Sequence, residues 1–273
     1  MPARSTSPTP YADINALLNT LLSDVQMILG GLFVGMYVHG SLANGDFDPQ
    51  RSDIDFVVVT TDDLPGEMVA ALEAMHASIA VSNLKWATNY EGSYIPQHAL
   101  RRYDPDRTLH PAVRVDGSFG VDRHGSEWVI QRHVIREQGI VLAGPAPQTL
   151  IDPVPANDLR RAALGVLREW WAPQLRAPFR LHNSEYHAYA VLTMCRVLYT
   201  LEFGTVASKP QAARWTQKRL GGRWVGLIDQ ALSWQHGVEL DGLNEVLDFI
   251  RYTLERSEHF AIPSDEASGI PGS

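Results

Sequence analysis

Cysteine is almost missing from this chain: Cys195 is the only one in 273 residues. A lone thiol excludes an internal disulfide and a cysteine-built zinc site, and its place in an apolar helical stretch reads as a buried structural thiol. A basic excess is missing too. Lys and Arg number 23 against 31 Asp and Glu, a formal net charge of -8. That is the opposite of the basic stripe a nucleic-acid polymer requires. An acidic chain suits a cationic partner, although mild acidity also serves solubility alone. The Ser/Thr/Pro-rich start, residues 1–10, leads into no apolar stretch fit for a signal peptide or membrane span, so a cytoplasmic protein is expected. What is there is ordinary for a globular chain: 45% hydrophobic and 20% charged residues, which excludes a fibrous or wholly disordered one.

The length favours two compact units. Residues 12–29 place Ile14, Leu17, Leu18, Leu21, Leu22, Val25 and Ile28 at helical spacing, and Gly30-Gly31 ends that helix. Two short apolar runs, 32–38 and 54–59, are bounded by turn residues and read as neighbouring strands with a Gly-rich turn between them. A helix is expected over 66–80 with Met68, Leu72 and Met75 on one face, a third strand within 84–95, a helix over 128–137 and an extended segment at 140–142. After about Asp152 the pattern changes to helices only, at 157–171, 185–202, 209–220, 224–234 and 243–258. The expected architecture is an α/β (α+β) N-terminal domain, 1–152, and an all-α helical-bundle C-terminal domain, 153–273. A small-molecule site is expected in the cleft between them. Residues 1–10 and 263–273 are expected to be disordered.

Chemistry concentrates in the first half. Gly40-Ser41 closes the first strand, and Asp53-Ile54-Asp55 opens the second. Side chains two apart on a strand share a face, so Asp53 and Asp55 project together while Ile54 points into the core. Adjacent carboxylates repel unless a cation or a shared proton compensates, and Mg²⁺ accepts oxygen ligands of this kind while keeping room for water and phosphate. Gly40 lets the backbone approach an anion, and the Ser41 hydroxyl with turn N–H groups can hold phosphate oxygens. A Gly-Ser turn alone, or Asp-x-Asp alone on an exposed strand, is commonplace. The combination, followed by the apolar run Phe56-Val57-Val58-Val59, is far more specific.

Gly40-Ser41, the spacer 42–52 and Asp53-Ile54-Asp55 together resemble the signature of the nucleotidyltransferase superfamily. The resemblance implies that Asp53 and Asp55 bind metal and that a third carboxylate stands on a later strand. Glu91, in Thr88-Asn89-Tyr90-Glu91-Gly92-Ser93-Tyr94, is the candidate, as general base toward an acceptor hydroxyl or as a further metal contact. An acid on a strand often merely faces solvent. Here Trp86, Tyr90, Tyr94 and Ile95 surround it in sequence, and Gly92 beside it would leave room for a substrate.

The second half narrows the resemblance. Residues 192–200 with Cys195-Arg196, then Gly204, Ser208-Lys209-Pro210 and Ala212-Ala213-Arg214-Trp215, are similar to the helical domain of aminoglycoside adenylyltransferases. So are residues 136–145 and Phe249-Ile250-Arg251-Tyr252. The likeness runs from about Tyr37 to Tyr252 and is nearest to the streptomycin- and spectinomycin-modifying group. It implies that Arg196 and Lys209 bind the ATP phosphates, a task suited to a bidentate guanidinium and a point charge. The group carries several acids before the Arg-bearing helix. Here that stretch is His182-Asn183-Ser184-Glu185-Tyr186-His187, with Glu185 alone acidic, and the loop between Ser41 and Asp53 is one residue longer than usual. Glu91, Glu185 and Trp171 are the expected acceptor contacts, although Trp170 and Trp171, at the end of an amphipathic helix, also fit a core role.

The implied activity is Mg²⁺-dependent transfer of AMP from ATP to a hydroxyl of a small, cationic acceptor such as streptomycin or spectinomycin. Glu91 would take the proton, and Asp53 and Asp55 would hold the metal. The competing readings are transfer to another small molecule or to a protein hydroxyl, and a catalytically silent nucleotide binder. Retention of the three acids with Arg196 and Lys209 speaks against silence.

Overall fold

The computed structural model describes residues 7–240 and 242–262. Residues 1–6 and 263–273, most of the two tails expected to be disordered, lie outside the described residues. Within the expected N-terminal tail, Thr9 is buried instead. Its backbone N–H and hydroxyl both donate to Asn15 Oδ1, at 3.0 and 2.8 Å, and Asn15 Nδ2 donates back to the Thr9 carbonyl. That reciprocal clamp ties the start of the chain to the first helix.

The chain divides into two compact units. One holds the described residues up to His124 together with Gln131–Pro153. The other holds Gly125–Ile130 and the described residues from Val154 onward. In the first, the elements run α1 (Ala12–Leu29), β1 (Phe33–Val38), α2 (Gly40–Asn44), β2 (Ile54–Thr60), α3 (Gly66–Ala80), β3 (Tyr90–Pro96), α4 (Gln97–Arg101), β4 (Leu109–Val113) and β5 (Phe119–Arg123). They continue with α5 (Glu127–Gln138), which begins in the second unit, then β6 (Ile140–Ala143) and α6 (Pro147–Leu150). The mixed six-stranded sheet has the order β5-β4-β3-β2-β1-β6.

Every pairing is antiparallel except β2 with β3, which are parallel and joined through α3. A parallel pair starts both strands at the same edge of the sheet, and here the register sets Ile54 against Tyr90 and Asp55 against Glu91. One sheet face packs under α1 and α3, with Ile14, Leu17, Leu18, Leu21, Met36, Val38, Ile54, Phe56, Val58, Leu72 and Ile79 in one apolar cluster. Strand alternation turns Asp55 and Glu91 to the other face.

The sequence expectation of a plain turn after β1 meets a short helix, α2, closed by Gly45 in the left-handed region at φ 74°. The strand expected within 84–95 starts only at Tyr90. The hairpin β4–β5 had no counterpart in the sequence reading: Pro111 interrupts β4, Gly120 interrupts β5, and β5 lies at the sheet edge with little burial.

The described elements of the second unit are helices: α7 (Ala156–Val166), a π-helical turn over Leu167–Trp171, α8 (Ser184–Phe203), α9 (Lys209–Leu220), α10 (Val225–Ser233) and α11 (Leu243–Glu258), with short 3₁₀ turns between them. Asn183 caps α8 and Ser208 caps α9 through side chains that accept backbone N–H groups. Ala163, Leu167, Trp171, Ala190, Met194, Cys195, Ala213, Ile228, Phe249 and Ile250 belong to this unit's core. Among the described residues no helix is long and apolar enough to cross a membrane.

Candidate active site

Asp53, Asp55 and Glu91 converge at the shared edge of β2 and β3. One carboxylate oxygen from each lies within 4.8 Å of the others; the two aspartates are half-buried and Glu91 is exposed. Three acid oxygens at that spacing form a hard, oxygen-only donor set of the kind divalent cations take. The backbone fixes the set from several directions. The Ile54 N–H donates to the Asn89 carbonyl at 3.2 Å, and the His39 N–H donates to the Asp55 carbonyl at 3.0 Å. The spacer before Asp53 folds on Asp48, which accepts the Gln50 N–H, pairs with Arg51 at 3.0 Å, and receives Ser52 N–H at its carbonyl; Asn89 Nδ2 then donates to the Ser52 carbonyl.

Gly40 sits beside these acids at φ 63°, and a Cβ there would come within 2.5 Å of Asp55 Cγ and closer still to its Oδ2. Only glycine lets the Asp55 carboxylate occupy that space. Next to it, Ser41 Oγ is buried and has no hydrogen-bond partner among the described residues. A buried orphan hydroxyl costs free energy unless a ligand satisfies it. An anionic oxygen held beside a cation on the aspartates is such a ligand. His39 precedes this pair of residues and was not singled out from sequence, although its place before Gly-Ser was visible. Burial lowers its pKa to about 4, partly opposed by a hydrogen bond with the Phe56 backbone and by the Asp53 charge, so its ring is neutral near pH 7.

Gly92 does something other than leave room for a substrate. A Cβ on it would lie 2.5 Å from Phe56 Cδ1, nearer still to Cε1 and Cζ, on the face opposite Glu91. Its missing side chain admits the Phe56 ring beneath the acids.

In the second unit, Arg196 is half-buried on α8, and Glu185 is exposed in the first turn of that helix. Lys209 opens α9 exposed, with its Nζ 5.8 Å from the centre of the Tyr189 ring of α8. Trp171, expected at an acceptor, is a correction: it is 1% exposed and packed in the core, with Tyr189 5.7 Å away. Its neighbour Trp170 is 40% exposed, with the Arg180 guanidinium 4.1 Å over its ring. The π-helical turn that both occupy adds a residue to the helical repeat and so shifts which of two adjacent tryptophans faces inward.

With this geometry in place, the comparisons with known proteins are consistent along most of the chain. Residues 19–96 match the family profile described as nucleotidyltransferase domain, and residues 149–256 match that described as aminoglycoside adenylyltransferase, C-terminal domain. An aminoglycoside (3'')(9) adenylyltransferase from Escherichia coli is 26% identical over 254 residues, 88% of this chain and 94% of the relative. A spectinomycin 9-adenylyltransferase from Staphylococcus aureus is 26% identical over 219 residues, 77% of this chain and 80% of the relative. Among solved structures, the spectinomycin adenyltransferase AAD(9) from Enterococcus faecialis, crystallised with ATP and spectinomycin, superposes with a TM-score of 0.72 at 20% identity. That match covers 89% of this chain and 98% of the other, and it establishes the shared fold. Matched in both halves and carrying the Gly-Ser and Asp-x-Asp acid site, the chain belongs to the aminoglycoside adenylyltransferase family.

Proposed function

We propose that the protein transfers AMP from ATP to a hydroxyl of an aminoglycoside or aminocyclitol, with spectinomycin and streptomycin as the first acceptors to test. The observation that carries this reading is the acid triad, with its oxygens within 4.8 Å, set beside Gly40 and the unpartnered Ser41 hydroxyl. The names of the relatives, and the ATP and spectinomycin in the AAD(9) structure, support the choice of donor and acceptor.

In this reading Asp53 and Asp55 hold Mg²⁺. The bound ion supplies positive charge against the triphosphate and the departing pyrophosphate. Ser41 donates its hydroxyl hydrogen to a phosphate oxygen. Glu91, the exposed member of the triad, takes the proton of the acceptor hydroxyl as that oxygen bonds to the α-phosphorus and the bond to the β-phosphate oxygen breaks. Alignment and charge neutralisation account for much of the rate.

The nucleotidyltransferase domain is taken as 1–152, and residues 153–273 as the all-α helical domain of the family, completing the sites for ATP and acceptor. Arg196 and Lys209 are assigned to the ATP phosphates by the resemblance of their helices. A fork and a point charge suit that task, and Lys209 is exposed. Glu185 is assigned to a cationic acceptor. The protein is assigned to the cytoplasm, where ATP is available. Incubation with Mg-ATP and a panel of aminoglycosides, followed by mass spectrometry, tests the reading: an AMP-sized increment on a panel member supports it, and unmodified compounds throughout oppose it.

A further inference from the structure

Beneath the acids, on the sheet face that packs under α3, lies a polar cluster that the chemistry above does not use. His76 of α3 is fully buried, and both its ring nitrogens are engaged: Nδ1 lies 2.9 Å from the Tyr90 hydroxyl and Nε2 2.7 Å from the Tyr94 hydroxyl. Burial lowers the imidazole pKa to about 3, so the ring is neutral and offers one donor and one acceptor. One tyrosine therefore donates to it and the other accepts from it, the ring's tautomer deciding which does which.

The two tyrosines straddle Gly92 on β3, and the Phe56 ring of β2 fills the space that Gly92 leaves. Phe56 also contacts His76, Tyr90 and Tyr94, with ring centres 6.1 to 6.3 Å apart. Along the chain, Phe56 directly follows Asp55 and Tyr90 directly precedes Glu91, and Asp55 and Glu91 are register partners. Apolar packing is non-directional and tolerates small slides of a strand. Two hydrogen bonds from one imidazole to positions 90 and 94 fix the height and rotation of the segment that carries Glu91.

We propose that His76 is a positioning residue for the carboxylate triad: by tying Tyr90 and Tyr94 to α3 around the Phe56 ring it fixes Asp55, the residue before Phe56, against Glu91, and through Asp55 it sets the metal affinity of the site. The proposal rests on reading the triad as a metal and transfer site. Outer groups that orient metal ligands typically change affinity or activity by about 10–100-fold when removed.

The test uses Mn²⁺ binding to the full chain, followed by the loss of the free-ion paramagnetic resonance signal, alongside AMP-transfer kinetics. His76→Phe, Tyr90→Phe and Tyr94→Phe are compared with the parent, each checked for cooperative unfolding. Mn²⁺ affinity is expected to fall by about tenfold or more in His76→Phe and in at least one tyrosine variant, with kcat falling while KM for the acceptor stays nearly constant. His76→Gln, which keeps a donor and an acceptor, should recover much of the loss. If His76→Phe does not fold, the tyrosine variants, each lacking a single hydroxyl, carry the test. Variants that are less stable yet bind Mn²⁺ within about twofold of the parent overturn the positioning role alone. A parent chain that neither binds Mn²⁺ nor transfers AMP overturns the underlying reading as well.

Discussion

Gly40 and Asp55 compete for one volume: a side chain on Gly40 would occupy the space of the Asp55 carboxylate, and Gly40 holds a positive φ of 63°. Gly40→Ala therefore carries two penalties. The left-handed backbone costs about 1–2 kcal/mol with a Cβ present, and the Asp55 carboxylate must move. Metal affinity is expected to fall by about tenfold or more, with a smaller drop in thermal midpoint. A metal titration of the variant checks this, and unchanged affinity would mean that Asp55 is not held where the structure has it.

The three acids should separate by role. Glu91→Gln keeps the shape but cannot accept a proton, so Mg-ATP binding is retained while transfer falls by about 10²–10⁴. Asp53→Asn or Asp55→Asn removes charge opposing the cation, so metal-dependent ATP binding should weaken together with turnover. Calorimetry and single-turnover rates distinguish the two. Loss of ATP binding in Glu91→Gln would make Glu91 a metal ligand first, and full turnover would remove it from the chemistry.

The two adjacent tryptophans give a stability contrast. Trp171→Ala opens a cavity in the helical core and should cost about 3–5 kcal/mol. Trp170→Ala loses mainly an exposed cation–π contact with Arg180 and should cost about 0.5–1 kcal/mol. Urea unfolding measures both, and equal losses would contradict the burial assignment.

What could be read in advance follows from how local each signal is. Helix α9 was legible to the residue because Ser208, Lys209-Pro210 and Gly221 mark its ends in sequence. The Asp-x-Asp pair and Gly40-Ser41 were legible because their spacing is local. Gly92 was misread, although strand alternation places it on the face opposite Glu91. Which of Trp170 and Trp171 faces the core depends on a π-helical turn, whose extra residue shifts the phase without a sequence mark. His76 lay hidden because it follows Leu72 by four residues on the apolar face of α3, and its two tyrosine partners become neighbours only when β3 pairs with β2.

Acid should destabilise the first unit through histidines that are neutral when folded. Burial lowers the pKa of His76 to about 3. Burial, reinforced by His110 and Arg132, drives that of His124 well below its ordinary value. The unfolded chain takes up these protons near pH 6.5 and the folded chain does not, so their contribution is intact above about pH 6.5 and is lost as pH falls toward the folded values. Each group accounts for up to about 1.4 kcal/mol per pH unit in that window. Thermal midpoints should be level from pH 7.5 to 6.5 and decline below, with a shallower decline in His76→Phe. A midpoint constant down to pH 4.5 would contradict the neutral assignment.

The central claim, adenylyl transfer at the Asp53, Asp55 and Glu91 site, is tested most directly by the fate of labelled phosphate. The protein is incubated with Mg²⁺ and spectinomycin, or streptomycin, and with ATP labelled at either the α- or the γ-phosphorus. The account predicts α-label on the antibiotic, γ-label in released pyrophosphate, and a sharp reduction of both in Asp55→Asn. Label from the γ-position on the acceptor, or transfer that survives Asp55→Asn undiminished, would contradict it.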